Sequence, residues 1–168
     1  MADTPESAPP APEPPAPATD AHPADARRPD TGPDWQHVGP HRYYVRDDVL
    51  FWAGDGSMTP PDLMALFDLR IGLQRKYGHV FAIIDASRLL AVPNETRRLA
   101  VEFRPDPPLR GLVIIFGAGL IVRTTITLII GAARLFGRTD LRTLHFVDDE
   151  AACWQLLDRE RAAPTSIG

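Results

Sequence analysis

Val80-Phe81-Ala82-Ile83-Ile84-Asp85-Ala86-Ser87 is the stretch on which the fold turns. Its first five residues are apolar without interruption, where a strand with one wet face would alternate. Such a run predicts a strand covered on both faces, as in parallel sheets. The segment before it has the clearest helix signals in the chain. Thr59 can cap, Pro60 suits the first helical position, and Asp62 places an acid in the first turn. Leu63, Leu66, Phe67, Leu69, Leu73 and Tyr77 then recur at helical spacing, and Gly78 suits a left-handed stop. Further upstream, residues 41–45 and 49–53 read as two strands joined at Arg46-Asp47-Asp48, with Gly54-Asp55-Gly56 as a loop.

Downstream, residues 89–93 read as a loop and residues 94–103 as a helix ended by Pro105 and Pro107-Pro108. Residues 112–116 form another buried strand. Gly117-Ala118-Gly119 turns into a third helix over Ile121 to Phe136, which Gly137 stops. Residues 142–147 give a further strand, and Asp148-Asp149-Glu150 opens a last helix to about Glu160, its acids complementing the macrodipole. The order ββαβαβαβα, with helices between successive strands, predicts the α/β class: one domain over residues 35–161, with a mixed, mostly parallel sheet flanked by helices.

Residues 1–34 differ in kind. They hold ten of the 18 prolines and eight alanines, with no Ile, Leu, Val or Phe. Such a segment buries too little apolar surface to offset the entropy of ordering it, so a disordered tail is expected there. Residues 162–168 are expected to fray. The tail carries seven acids against Arg27 and Arg28, a net of −5, which leaves residues 35–168 at +1. A domain so close to neutral has no bulk attraction for nucleic acid. Cys153 is the only cysteine, which rules out an intrachain disulfide and a cysteine-based metal cluster. With no basic region followed by an apolar run at the start, a cytoplasmic location is expected. Residues 111–133 are long and apolar enough to raise a membrane span. Arg123 near their centre would cost roughly 2.5–3.5 kcal/mol there, and Gly117 and Gly119 break the run, so no transmembrane span is expected.

Four stretches carry a family likeness: Phe81-Ala82-Ile83-Ile84-Asp85-Ala86-Ser87, Glu95-Thr96-Arg97-Arg98, Phe116-Gly117-Ala118-Gly119-Leu120-Ile121-Val122-Arg123 and Phe146-Val147-Asp148-Asp149-Glu150-Ala151-Ala152-Cys153-Trp154. In their order and spacing, residues 38–157 resemble the bacterial STAS/SpoIIAA-like domain family, with its CRAL-TRIO-like α/β architecture. The resemblance implies a regulatory, non-enzymatic module that binds a protein partner through residues Leu90 to Arg98. Anti-sigma-factor antagonists of this fold carry a phosphorylatable serine at the helix start, whereas residues 90–96 here contain none. Asn94 and Thr96 are the small polar side chains of that stretch, with Arg97 beside them. Other members and relatives imply an alternative, a carrier of a lipid or small apolar ligand with its pocket between helix three and the sheet.

No catalytic residue and no cofactor emerge from the chain. Gly117-Ala118-Gly119 follows a strand and opens a helix, but Val122 stands where a dinucleotide loop needs a third glycine. Free N–H groups at that helix start, with Arg123, Thr124 and Thr125, suit an anion; the plainer reading is a tight turn with Arg123 paired to a carboxylate. Asp85 is expected at a strand end, where ligands of open α/β sheets gather but where an Asp is more often a loop cap. His37, His41, His79 and His145 have no partner defined by spacing, and no metal-ligand spacing occurs. Helix three is apolar on more than one side, through Ile121, Val122, Ile126, Leu128, Ile129, Ile130, Leu135 and Phe136. Such a helix is either deeply buried or meets a partner, and a homodimer contact is one expectation.

Overall fold

The computed structural model describes residues 33–135 and 144–162. The expected tail and frayed C-terminus therefore lie outside the described residues, apart from their edges: Pro33, Asp34 and Ala162. Six strands and four helices follow in the order β1 (Gln36–Val38), β2 (His41–Arg46), β3 (Val49–Ser57), α1 (Pro60–Tyr77), β4 (Phe81–Ala91), α2 (Asn94–Glu102), β5 (Val113–Phe116), α3 (Leu120–Leu135), β6 (Leu144–Phe146) and α4 (Glu150–Ala162). The strands lie side by side in chain order. β1, β2 and β3 pair antiparallel, and β3 to β6 pair parallel. This is the expected α/β domain with a mixed sheet, with one short strand, β1, added at its antiparallel edge.

Alternation along the inner strands divides the core into two layers. Leu50 and Trp52 of β3, Ala82 and Ala86 of β4, and Val113 and Ile115 of β5 face Leu66 of α1 and Val122 of α3. Their neighbours Val49, Phe51, Ile83 and Ile114 face Cys153 and Leu157 of α4. Helices thus cover both faces, which is why the inner strands read as unbroken apolar runs. Leu50, Trp52, Ile83 and Ile114 are fully buried, each worth about 1.5–3 kcal/mol.

Several expected boundaries move. Gly54-Asp55-Gly56 is not a loop but part of β3, and β4 runs on to Ala91 instead of giving way to a loop at residue 89. The two strands keep pairing beyond the sheet centre, Asp55 with Arg88, Gly56 with Leu89 and Ser57 with Ala91, across two register shifts. Turn chemistry is overridden here by tertiary pairing: the Asp55 N–H is taken by buried His41 Nδ1 at 2.9 Å, and Asp55 Oδ2 meets Arg88 at 2.7 Å. Asp85 accordingly lies in mid-strand, opposite Ala53 and Phe116, not at a strand end. α4 continues through Ala162, where fraying is expected. Phe136, the expected last residue of helix three, and residues 142–143 of the last strand lie outside the described residues.

The connection from α2 to β5 is held from α1. Gln74 Nε2 donates to the Pro108 carbonyl at 2.9 Å, and its Oε1 accepts the Arg110 N–H at 2.5 Å. Gly111 follows at φ 111°, and a Cβ there would lie 2.0 Å from the Val80 carbonyl oxygen.

Candidate functional site

α2 is fixed from below by one buried hydroxyl. Thr96 is fully buried, and its Oγ1 donates to the Met58 carbonyl at 2.8 Å, tying the first turn of α2 to the end of β3. Arg97 Nε donates to the Val92 carbonyl at 2.7 Å, closing the turn between β4 and α2. At the other end, Phe103 stacks on Phe67 of α1 with ring centroids 4.5 Å apart. The short helix is thereby held at both ends, while most of its length stays open to solvent.

Between α2 and α3 runs a groove of about 510 Å³. Val101 of α2 and Leu128, Ile129 and Ala132 of α3 supply its apolar lining; Arg97, Arg98 and Arg104 with Glu102 supply its charged lining. Arg98 Nε lies 3.3 Å from Glu102 Oε1, both side chains being largely exposed. An exposed pair of this kind is worth little and is readily exchanged for an incoming carboxylate. Arg104 Nη1 donates to the Val101 and Phe103 carbonyls at the C-terminal end of α2, where a cation also suits the macrodipole. Three guanidiniums beside one carboxylate give the groove a positive balance over an apolar surface. Planar donors of that sort recognise carboxylate and phosphate. A second concavity of about 530 Å³ flanks α2 on its other side, lined by Pro60, Asn94, Glu95 and Leu99, and it shares Arg98 and Glu102.

The residues singled out in the sequence separate. Arg97 lines the first groove and Asn94 the second, whereas Thr96 is a buried tie without a surface. Asp85 Oδ1 accepts the Ser87 N–H at 2.9 Å, a local capping contact. Arg123 spreads its guanidinium over the Phe146 ring at 5.0 Å, on the β6 side of α3. Thr124 is exposed on the outer face of α3, outside both linings. The expected stretch, Leu90 to Arg98, takes in Arg97 and Arg98 but stops short of Val101 and Arg104, which follow at three-residue steps and join the groove only through the way α2 lies against α3. The groove lies between α2 and α3; on the sheet side of α3, Val122 shares a core cluster with Val113 and Ile115, and Ile126 and Ile129 pack against that cluster.

Two histidines do have partners. His79 Nε2 meets Asp48 Oδ2 at 2.8 Å, and Asp48 also holds Arg161 at the end of α4. His41 Nε2 lies 3.3 Å from Asp62 Oδ2, and the same oxygen accepts the Thr59 hydroxyl at 2.5 Å and N–H at 2.9 Å. Hydroxyl, carboxylate and imidazole are assembled, but not as a catalytic triad: the hydroxyl donates to the carboxylate rather than to the imidazole, and His41 is fully buried. Burial pushes Asp62 up, but the Thr59 hydrogen bonds and His41 outweigh it and hold the carboxyl below its ordinary value. Among the described residues, no three metal-ligating side chains come together, and no helix is long and apolar enough to cross a membrane. Compared with known proteins, the chain matches no family model and no curated protein.

Proposed function

We propose that the chain is a non-enzymatic, STAS-like interaction module, acting in the cytoplasm, whose working surface is the α2–α3 face beginning at the turn before α2. The observation that carries this reading is the groove of about 510 Å³ with three arginines and one glutamate around an apolar lining. Its chemistry suits an acidic segment with an apolar face, carboxylates against Arg98 and Arg104 and side chains against Val101 and Ile129. Site-specific photo-crosslinking from Val101 in the native host tests it. The expected result is one discrete protein adduct that Arg98→Glu and Arg104→Glu abolish while the fold is retained. An adduct indifferent to both reversals would sink the reading.

The apolar lining also favours a second reading, a carrier of an amphiphilic anion. Native mass spectrometry separates the two: a small mass that leaves on denaturation supports the carrier, and a clean protein mass opposes it.

A further inference from the structure

α3 turns one set of apolar residues inward and another outward. Val122, Thr125, Ile130 and Ala133 are buried, while Ile121, Leu128 and Leu135 are 76%, 66% and 88% exposed. These three lie seven residues apart. Thr124 and Gly131 alternate with them, also seven apart and also exposed, and a Cβ added at Gly131 would meet nothing within 4 Å. A row at this spacing is the seam by which one helix packs along another. It runs for about 21 Å at the helical rise. No charged side chain stands on it, since Arg123 is drawn off to Phe146, so two copies approach without opposed like charges. Large and small residues alternate as Ile, Thr, Leu, Gly, Leu, an order of sizes that is the same from either end. About a two-fold axis beside Leu128, an antiparallel second helix sets Leu128 against Leu128 and Ile121 against Leu135, so exposed apolar side chains meet along the whole row. That arrangement also sets the positive end of each helix dipole beside the negative end of the other.

We infer that α3 is a homodimer contact, in which a second copy of this chain packs antiparallel across Ile121, Leu128 and Leu135 about a two-fold axis close to Leu128. A strip about 21 Å long and one helix wide is at the small end of specific interfaces, so the dimer is weak and dissociates on dilution. The inference does not rest on the partner groove. Leu128 belongs to both surfaces, whereas Ile121 and Leu135 lie outside the groove lining.

Sedimentation equilibrium of the full chain, over roughly a hundredfold range of concentration spanning the micromolar, tests it. The wild type is expected to show a monomer–dimer equilibrium. Leu128→Glu and Leu128→Lys each weaken it about tenfold or more, and mixing the two variants restores dimer because residue 128 of one copy lies near residue 128 of the other. Ile121→Glu weakens it as well, while Arg98→Glu and Arg104→Glu leave it intact, which separates failure of this contact from failure of the groove. A wild type that stays monomeric throughout overturns the inference, as does a dimer untouched by Leu128→Glu and Ile121→Glu. A monomer that binds anionic vesicles through Leu128 would assign the seam to a membrane surface instead.

Discussion

His41 Nε2 lies 3.3 Å from Asp62 Oδ2, with the imidazole wholly buried and its other nitrogen accepting the Asp55 N–H. One side chain from β2 thereby meets the first turn of α1 and the extended end of β3. The Asp55 N–H occupies Nδ1 and so turns Nε2 towards the carboxylate, which it approaches at ion-pair distance without forming a well-aligned hydrogen bond. Gly39 permits the approach: a Cβ at that position would lie 2.8 Å from Asp62 Oδ1. The cluster thus decides where α1 begins, and through Thr96 and Met58 it shares the end of β3 with α2.

Asp62→Asn should therefore cost about 1–3 kcal/mol at neutral pH, the range for disturbing a buried hydrogen-bonded group. The folded carboxyl sits below its ordinary value of 3.8. Its contribution is fully present above that value and is lost as pH falls through the folded value. Urea unfolding of wild type and variant across this acid range should show a gap that narrows as pH falls. A gap of constant width would mean that Asp62 does not act through its charge.

The class of fold was legible in the apolar run before Asp85 and in the capping signals from Thr59 to Asp62, because both reflect local rules that the tertiary structure obeys. The continuation of β3 through Gly54-Asp55-Gly56 was not, because its cause is non-local: His41 and Arg88 take up groups that turn chemistry would leave to solvent. β1 escaped notice for a similar reason. Three residues, Gln36 to Val38, carry no periodicity, and they pair only because β2 offers a free edge. At the candidate groove, Arg97 was within reach of sequence reading because it stands beside the helix start. Arg104 was not, since its place depends on how α2 crosses α3. Helix three showed its double apolarity in sequence, but only burial separates the Val122 side from the Leu128 side.

Gly111 offers a test of packing alone. Its φ of 111° is unfavourable for any side chain, and an added Cβ would lie 2.0 Å from the Val80 carbonyl oxygen and 3.0 Å from the Val80 nitrogen. Val80 is fully buried just ahead of β4, and its N–H is held by the Arg110 carbonyl at 3.1 Å. Gly111→Ala should destabilise the protein by more than about 2 kcal/mol, read as a lowered thermal midpoint. Gly72→Ala, in open space within α1, serves as the control and should be neutral or slightly stabilising. Equal effects at the two positions would contradict the placement of residue 111 against Val80.

Cys153 carries the last prediction. It is fully buried on the α4 side of the sheet, and burial first, then Glu150, Asp149 and Asp85, pushes its thiol up to about 12. The nucleophile in disulfide exchange is the thiolate, so a thiol reagent should leave the native protein unmodified at pH 8 and titrate one group per chain in denaturant. Stability has a matching signature. Between the ordinary value of 9.0 and about 12, the unfolded chain loses a proton that the folded chain keeps, so this group makes stability fall as pH rises. Cys153→Ala removes that component, and its deficit relative to wild type should shrink as the pH is raised through the window. Prompt labelling of the native protein would show that α4 opens freely, and the seating of Cys153 and Leu157 against Ile83 and Ile114 would then not hold the helix in place.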